Sequence, residues 1–140
     1  ETYNFFIVED NPAEVRLIQE AIKEAGLQDI VELEYAYDGE EACEYIDTAK
    51  LINKPINLVL LDLNMPKKDG REIIQEMRAN SNFKAIPIVV LSTSNAPSDI
   101  KTCYELGANS FITKPSSFEG LLEIIKNLQQ FWFVTASLPQ

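Results

Sequence analysis

The chain has 140 residues, a formal net charge of −10 and no histidine, and 46% of its residues are hydrophobic. This composition predicts one globular domain and excludes histidine-based catalytic triads, zinc sites and general bases, as well as histidine kinase and histidine phosphotransfer modules. The acidic charge argues against nucleic-acid binding, which requires a basic surface, and no apolar run is long enough to span a membrane.

Short apolar runs alternate with longer amphipathic stretches from one end of the chain to the other. Three runs are apolar at every position, as central strands of a parallel sheet are, and they cover residues 5–8, 58–61 and 86–91. Residues 31–37 and 110–113 predict two outer strands.

Helix-start signals, in which a capping residue is followed three positions later by Glu, stand between these runs. They place helix starts at Asn11, Asp38, Asp69 and Ser116. The first helix carries an apolar stripe that includes Leu17, and it ends at Gly26. The last helix carries a stripe at positions 118, 121, 122, 125, 128 and 132.

The predicted order βαβαβαβαβα indicates an α/β fold, a doubly wound five-stranded parallel sheet with helices on both faces, of the flavodoxin-like (βα)5 type. We expect one domain over residues 1–134 and a short C-terminal tail over residues 135–140. Two cysteines without a CxxC motif, Cys43 and Cys103, favour a reduced compartment and a cytoplasmic protein.

Polar side chains follow the predicted strands at the carboxyl edge of the sheet, where open α/β sheets bind ligands. They are Glu9, Asp10, Asp62, Ser92 and Lys114. Three clustered carboxylates repel one another unless a cation neutralises them, and oxygen ligands suit Mg²⁺. A carboxylate that ends a buried strand beside a metal and a lysine is suited to be a nucleophile.

Each of these residues has an ordinary structural explanation when it is taken alone. Glu9 and Asp10 would complement the dipole of the helix that follows them. Asp62 and Ser92 would be turn residues, and Lys114 would be a solvated surface charge. Their common position at strand ends favours the functional interpretation.

Four motifs in order resemble the receiver domain of two-component response regulators, over residues 4–133. They are Glu9-Asp10, Asp62-Leu63-Asn64-Met65-Pro66 with Asp69-Gly70, Ser92-Thr93 and Lys114-Pro115. The resemblance implies a phosphorylation-dependent switch that is not otherwise an enzyme. It also implies that a sensor histidine kinase donates the phosphoryl group from a phosphohistidine.

The resemblance further implies a role for each site residue. Asp62 would be the phosphoryl acceptor, and Ser92 and Lys114 would contact the phosphoryl oxygens. Mg²⁺ would be held by Asp10, Asp62 and the backbone carbonyl of Asn64, with Glu9 positioning its waters. Phe111 stands at the switch position of the family, although its ring could equally be ordinary core. Asn64 and Ser94 occupy positions that, in the family, tune how long the phosphoryl group survives.

Three other functions compete with this interpretation. A flavodoxin-like cofactor binder would need a hydroxyl-rich or glycine-rich phosphate loop after the first strand, and Glu9-Asp10-Asn11-Pro12 would repel phosphate there. A phosphatase with an aspartate nucleophile requires a second acid two residues after the nucleophile, and that residue here is Asn64. A receiver-like interaction module that no longer takes phosphate would not require the acidic pair, Asp62, Ser92 and Lys114 together.

The C-terminal end is rich in aromatic residues, which are enriched at protein interfaces. We expect Phe131, Trp132 and Phe133, with the fourth helix and fifth strand, to form a homodimer; the alternative is that the tail folds back onto its own domain. This ending and the long stretch before Asp62 resemble phytochrome-associated single-domain receivers. A phytochrome-type sensor kinase would then be the partner, with no nucleic acid or membrane involved.

Overall fold

The computed structural model describes residues 2–49, 55–63, 65, 67–81 and 83–139. Strands and helices alternate as the apolar runs predict. The strands are β1 (Tyr3–Val8), β2 (Val31–Ala36), β3 (Leu58–Leu61), β4 (Ile88–Ser92) and β5 (Ser110–Thr113). The helices are α1 (Pro12–Glu24), α2 (Gly39–Ala49), α3 (Gly70–Ala79), α4 (Pro97–Leu106) and α5 (Phe118–Gln129), and α5 continues into a π-helical turn (Gln130–Thr135).

The strands form one parallel five-stranded sheet in the order β2-β1-β3-β4-β5. The strand order reverses on either side of β1, which creates the crevice at the carboxyl edge of the sheet where doubly wound folds bind ligands. The predicted flavodoxin-like fold is therefore confirmed.

Alternating side chains of β1 supply the two halves of the core, because successive residues of a strand point to opposite faces. Phe6 and Val8 belong to the half that packs under α2, α3 and α4. Phe5 and Ile7 belong to the half that packs under α1 and α5. Each central strand is thus covered on both sides, which explains why its sequence is apolar throughout.

Three of the predicted helix starts are confirmed by their hydrogen bonds. The side chains of Asn11, Asp38 and Asp69 accept backbone N–H groups at the starts of α1, α2 and α3. The predicted cap at Ser116 is wrong by one residue, since the hydroxyl of Ser117 accepts the N–H of Gly120 at 3.0 Å. Leu17, which we placed in the apolar stripe of α1, is exposed.

The C-terminal aromatic residues differ most from the expectation. In the π-helical turn the N–H of Ala136 donates to the carbonyl of Phe131, five residues back. In an α-helix the residue four positions after Leu128, which is Trp132, would face the core. In the π-helical turn the spacing is five residues, and Phe133 is buried there instead. Phe133 is only 8% exposed and stacks on Tyr3 with ring centroids 4.2 Å apart, so its expected exposure at an interface is corrected.

None of the helices in the described part of the chain has the length and apolar character needed to cross a bilayer.

Candidate functional site

The polar side chains at the strand ends are placed by hydrogen bonds that extend the parallel ladder beyond each strand. The N–H of Glu9 donates to Ala36, that of Asp62 to Val8 and that of Lys114 to Ser92, at 2.7–3.0 Å. Because these bonds continue the strand pairing, they fix the backbone from which each functional side chain projects. The predicted convergence at one edge follows directly.

The three predicted carboxylates come together. Glu9, Asp10 and Asp62 each offer an oxygen, and these oxygens all lie within 4.8 Å of one another. Glu9 and Asp62 are buried, at 4% and 9% exposure, whereas Asp10 is open to solvent. The cluster therefore has two desolvated carboxylates and one that faces water.

Lys114 is the cation of the site. Its Nζ lies 2.5 Å from Oε1 of Glu9 and 3.9 Å from Oδ2 of Asp62. Burial alone would lower the pKa of the Lys114 ammonium, but its hydrogen bond to Glu9 and the charges of Glu9 and Asp62 hold this pKa above its usual value. Lys114 is therefore charged at neutral pH and bridges two carboxylates.

One ammonium does not neutralise three carboxylates, and this imbalance affects the pKa of Glu9. Burial raises the pKa of Glu9 from 4.5 to about 7. Lys114 opposes this increase, whereas the hydrogen bond that protonated Glu9 donates to Asp10 and the charge of Asp62 add to it. A further cation would therefore stabilise the ionised form of this carboxylate cluster.

The donor set fits a hard divalent cation. Three carboxylates within reach of one another, one of them solvent-exposed, match the preference of Mg²⁺ for a few carboxylates together with retained waters. Asn64, the remaining predicted ligand, lies outside the described residues. The fit therefore depends on Glu9, Asp10 and Asp62 alone.

Ser92 and Phe111 lie on the neighbouring strands β4 and β5. Ser92 is fully buried, and its Oγ accepts the N–H of Ser94 at 3.2 Å. Phe111 is half-buried and packs against the core half under α2, α3 and α4. The N–H of Phe111 donates to the hydroxyl of Tyr104 on α4 at 3.2 Å, a contact that strand and helix patterns do not reveal.

Comparison with known families assigns this arrangement. Residues 5–126 match the response regulator receiver domain. The chain belongs to that family. Receiver domains of response regulators act as phosphorylation-dependent switches in two-component signalling, and the fold and motifs described above are those of a receiver.

Phytochrome-associated regulators are among the similar proteins. Response regulator Rcp1 of Synechocystis is 39% identical over 135 residues, which cover 95% of this chain and 90% of Rcp1. The phosphorylated cyanobacterial phytochrome response regulator RcpA has a TM-score of 0.90 and 42% identity over the full length of both chains. The Mn²⁺-bound form of Rcp1 has a TM-score of 0.85 and 38% identity over 99% of both chains. The predicted similarity to phytochrome-associated receivers is confirmed.

A chain of hydrogen-bonded side chains lies beside the site, and the sequence predicts no role for two of its three members, Arg71 and Asp99. Ser94, Asp99 and Arg71 are joined by hydrogen bonds of 2.6 and 2.7 Å. These residues stand on three different segments, and none belongs to a strand-end motif. Asp99 lies in the first turn of α4, where the helix dipole is sufficient to explain an acidic residue, so the sequence alone gives it no functional signal.

Proposed function

We propose that Asp62 accepts a phosphoryl group, and that this modification switches the protein between signalling states. The observation that supports this most strongly is the cluster of Glu9, Asp10 and Asp62 with Lys114 held between two of the carboxylates. A dianionic phosphoryl group can approach a carboxylate only where positive charge is already in place.

The transfer requires positioning and charge neutralisation more than proton transfer. The P–N bond of a phosphohistidine breaks as a P–O bond forms to a carboxylate oxygen of Asp62, and the imidazole leaves and takes up a proton. Mg²⁺ held by Glu9, Asp10, Asp62 and the carbonyl of Asn64 would neutralise charge on the transferring group. Lys114 lies close enough to Asp62 to pair with a phosphoryl oxygen after a small movement of its side chain.

Ser92 and Phe111 would report the modification. The Ser92 hydroxyl can donate to a phosphoryl oxygen while its Oγ still accepts the N–H of Ser94. Phe111 lies on the adjacent strand, and its backbone contacts Tyr104 of α4. A shift of β4 towards the phosphoryl group would therefore change the surface formed by α4 and β5.

The test is phosphorylation by a small donor. The protein is incubated with acetyl phosphate and Mg²⁺, and its intact mass is measured. We expect one phosphoryl addition, which is absent with a chelator and in Asp62→Asn. Asp29→Asn, an exposed carboxylate outside the site, is the matched control and should be modified like the wild type. Absence of any addition to the wild type would refute the proposal.

We also propose that a histidine kinase of the phytochrome type is the phosphodonor. The support is the similarity to Rcp1 and to a phytochrome response regulator over essentially the whole chain. Transfer from a purified phosphorylated phytochrome kinase should be at least tenfold faster than transfer from an unrelated kinase. Equal rates would contradict this assignment.

The surface of α4, β5 and α5 is our proposed homodimer contact. Phe131 and Val134 are 51% and 60% exposed, and Trp132 packs edge-on against Phe131 at 5.0 Å. A cavity of about 350 Å³ beside them is lined by Ile112, Ile124 and Leu128, among others. A second copy of the chain would cover this apolar surface, which a solvated protein usually avoids exposing.

Sedimentation tests this contact. Phe131→Ala with Val134→Ala should shift a dimeric wild type towards monomer. Leu17→Ala, which removes an exposed apolar side chain on α1, should leave the wild-type distribution unchanged. The contact is refuted if the wild type and the double variant sediment as the same species.

A further inference from the structure

The two edge strands of the sheet differ in length and in how they are covered. β5 is four residues long, and the N–H of Phe111 donates to the hydroxyl of Tyr104 on α4 at 3.2 Å. β2 is six residues long and, in the described part of the sheet, pairs with β1 alone. A strand with one unpaired side is a template on which another chain can add a strand.

The backbone of β2 offers hydrogen-bonding groups on this unpaired side. Backbone N–H groups at the start of β1 and just after its end donate to the carbonyls of Ile30 and Ala36. Because successive residues of a strand direct their N–H and C=O groups to opposite sides, Leu33 and Tyr35 direct theirs away from β1. The side chain of Tyr35 is also 42% exposed, so this edge is suited to pair with another strand.

Two glutamates stand on a face of β2 where the next strand carries a core side chain. In the parallel register Glu34 lies beside Phe6, which belongs to the core half under α2, α3 and α4. Glu32, two residues earlier, shares this face of the strand. Glu32 is exposed and Glu34 is half-buried. A strand added beside β2 would place its own side chains against both carboxylates and remove water from them, which is costly.

The negative charge of this edge is concentrated in one stretch of sequence. Residues 26–49, which include β2 and α2, contain eight of the 22 acidic residues and no Lys or Arg. If two copies paired edge to edge about a twofold axis, this stretch would face itself, because such an interface joins the same surface of both copies. Like charges on neighbouring strands repel one another.

We propose that Glu32 and Glu34 prevent the β2 edge from pairing with the β2 edge of a second copy, and so restrict self-association to the surface of α4, β5 and α5. Only the second half of this inference rests on the proposed homodimer contact. A chain with two self-complementary surfaces can assemble beyond a dimer, so closing one of them limits the size of the assembly.

The experiment is sedimentation velocity in a background that lacks the other contact. Phe131→Ala with Val134→Ala provides this background, and Glu32→Gln with Glu34→Gln is added to it. We expect the background to stay monomeric. The added Glu→Gln changes should produce dimers at a protein concentration about tenfold below the highest one at which the background is still monomeric.

A charge-matched control and a second readout locate the new contact. Glu44→Gln with Asp47→Asn removes two charges from exposed positions of α2, away from the strand, and should sediment like the background. Hydrogen exchange at the N–H groups of Leu33 and Tyr35 should slow as the Glu32→Gln, Glu34→Gln variant associates, because these groups then pair with the second copy.

The outcomes separate this inference from the proposed dimer contact. A glutamine variant that stays monomeric overturns the inference, and so does one that associates with unchanged exchange at Leu33 and Tyr35. Association of the α2 control to the same extent also overturns it, since general charge would then be the cause. A monomeric wild type refutes the proposed dimer contact but leaves the test of the β2 edge intact, because that test is made without the contact.

Discussion

Removing the ring of Phe133 tests the most unexpected feature of the fold, the π-helical turn that buries this residue. The ring is 8% exposed, stacks on Tyr3 at 4.2 Å with an interplanar angle of 7°, and contacts Phe5 at a centroid distance of 5.3 Å. A buried Phe→Ala change costs about 3–5 kcal/mol of unfolding free energy. We expect about 3 kcal/mol for Phe133→Ala, because its ring keeps some exposure.

This cost converts to a shift in melting temperature. The entropy of unfolding for a chain of this length is about 0.3 kcal/mol/K, so Phe133→Ala should lower Tm by about 10 °C. Phe131→Ala is the matched control, since its ring is half-exposed and contacts only Trp132 among the aromatic pairs of the described chain. Its cost should be about 1 kcal/mol or less.

Thermal unfolding followed by circular dichroism measures both variants. Each is measured at two protein concentrations about tenfold apart, which separates any contribution of self-association from that of the core. The reasoning is refuted if Phe131→Ala costs as much as Phe133→Ala, because that result would mean that the buried face does not shift by one residue.

Three further predictions concern charge and hydrogen bonding. The folded protein keeps the Glu9 proton up to about pH 7, whereas the unfolded chain releases it near 4.5, so the metal-free protein becomes less stable as pH rises between these values. Because Mg²⁺ binding requires the deprotonated carboxylate, the increase in Tm caused by Mg²⁺ should be larger near pH 8 than near pH 6. In Glu9→Gln this difference between the two pH values should disappear. Burial, and after it Glu76, raises the pKa of the Cys43 thiol to about 11. Iodoacetamide should therefore modify Cys43 slowly at pH 8, and Glu76→Gln should increase the rate of modification. A wild-type rate equal to that of a free thiol would contradict this prediction. Arg78 donates to the carbonyls of Gly107 and Ile86 at 2.8 Å, and Arg78→Ala should lower the unfolding free energy by about 2 kcal/mol in urea titrations, whereas an unchanged midpoint would show that these bonds contribute nothing.

The architecture and the strand-end residues could be predicted because each depends on a pattern of consecutive residues. A strand covered on both faces is apolar at every position, and the residues that follow it reach the carboxyl edge of the sheet wherever the strands are parallel. Glu9, Asp62 and Lys114 are found together for this reason.

Features that depend on contacts between distant segments could not be predicted in the same way. Phe133 is buried after the end of α5 because its ring packs against Tyr3 and Phe5, which lie far away in the sequence. A helical period of 3.6 residues predicts that Trp132 is buried instead. Similarly, Ser116 and Ser117 are both of a residue type that caps helices. Only Ser116 is followed by Glu three positions later, yet the backbone geometry makes Ser117 the cap. The path from Ser94 to Arg71 joins side chains whose proximity no single segment encodes.

The central claim is that Asp62 is the residue that is phosphorylated, and chemical trapping tests it most directly. Borohydride reduces an aspartyl phosphate to homoserine, and tandem mass spectrometry of the digested protein then locates the modified position. After incubation with acetyl phosphate and Mg²⁺, we predict homoserine at position 62 and at no other aspartate. Homoserine at Asp10 in place of Asp62, or an unreduced protein despite a phosphoryl addition to the intact mass, would contradict the account.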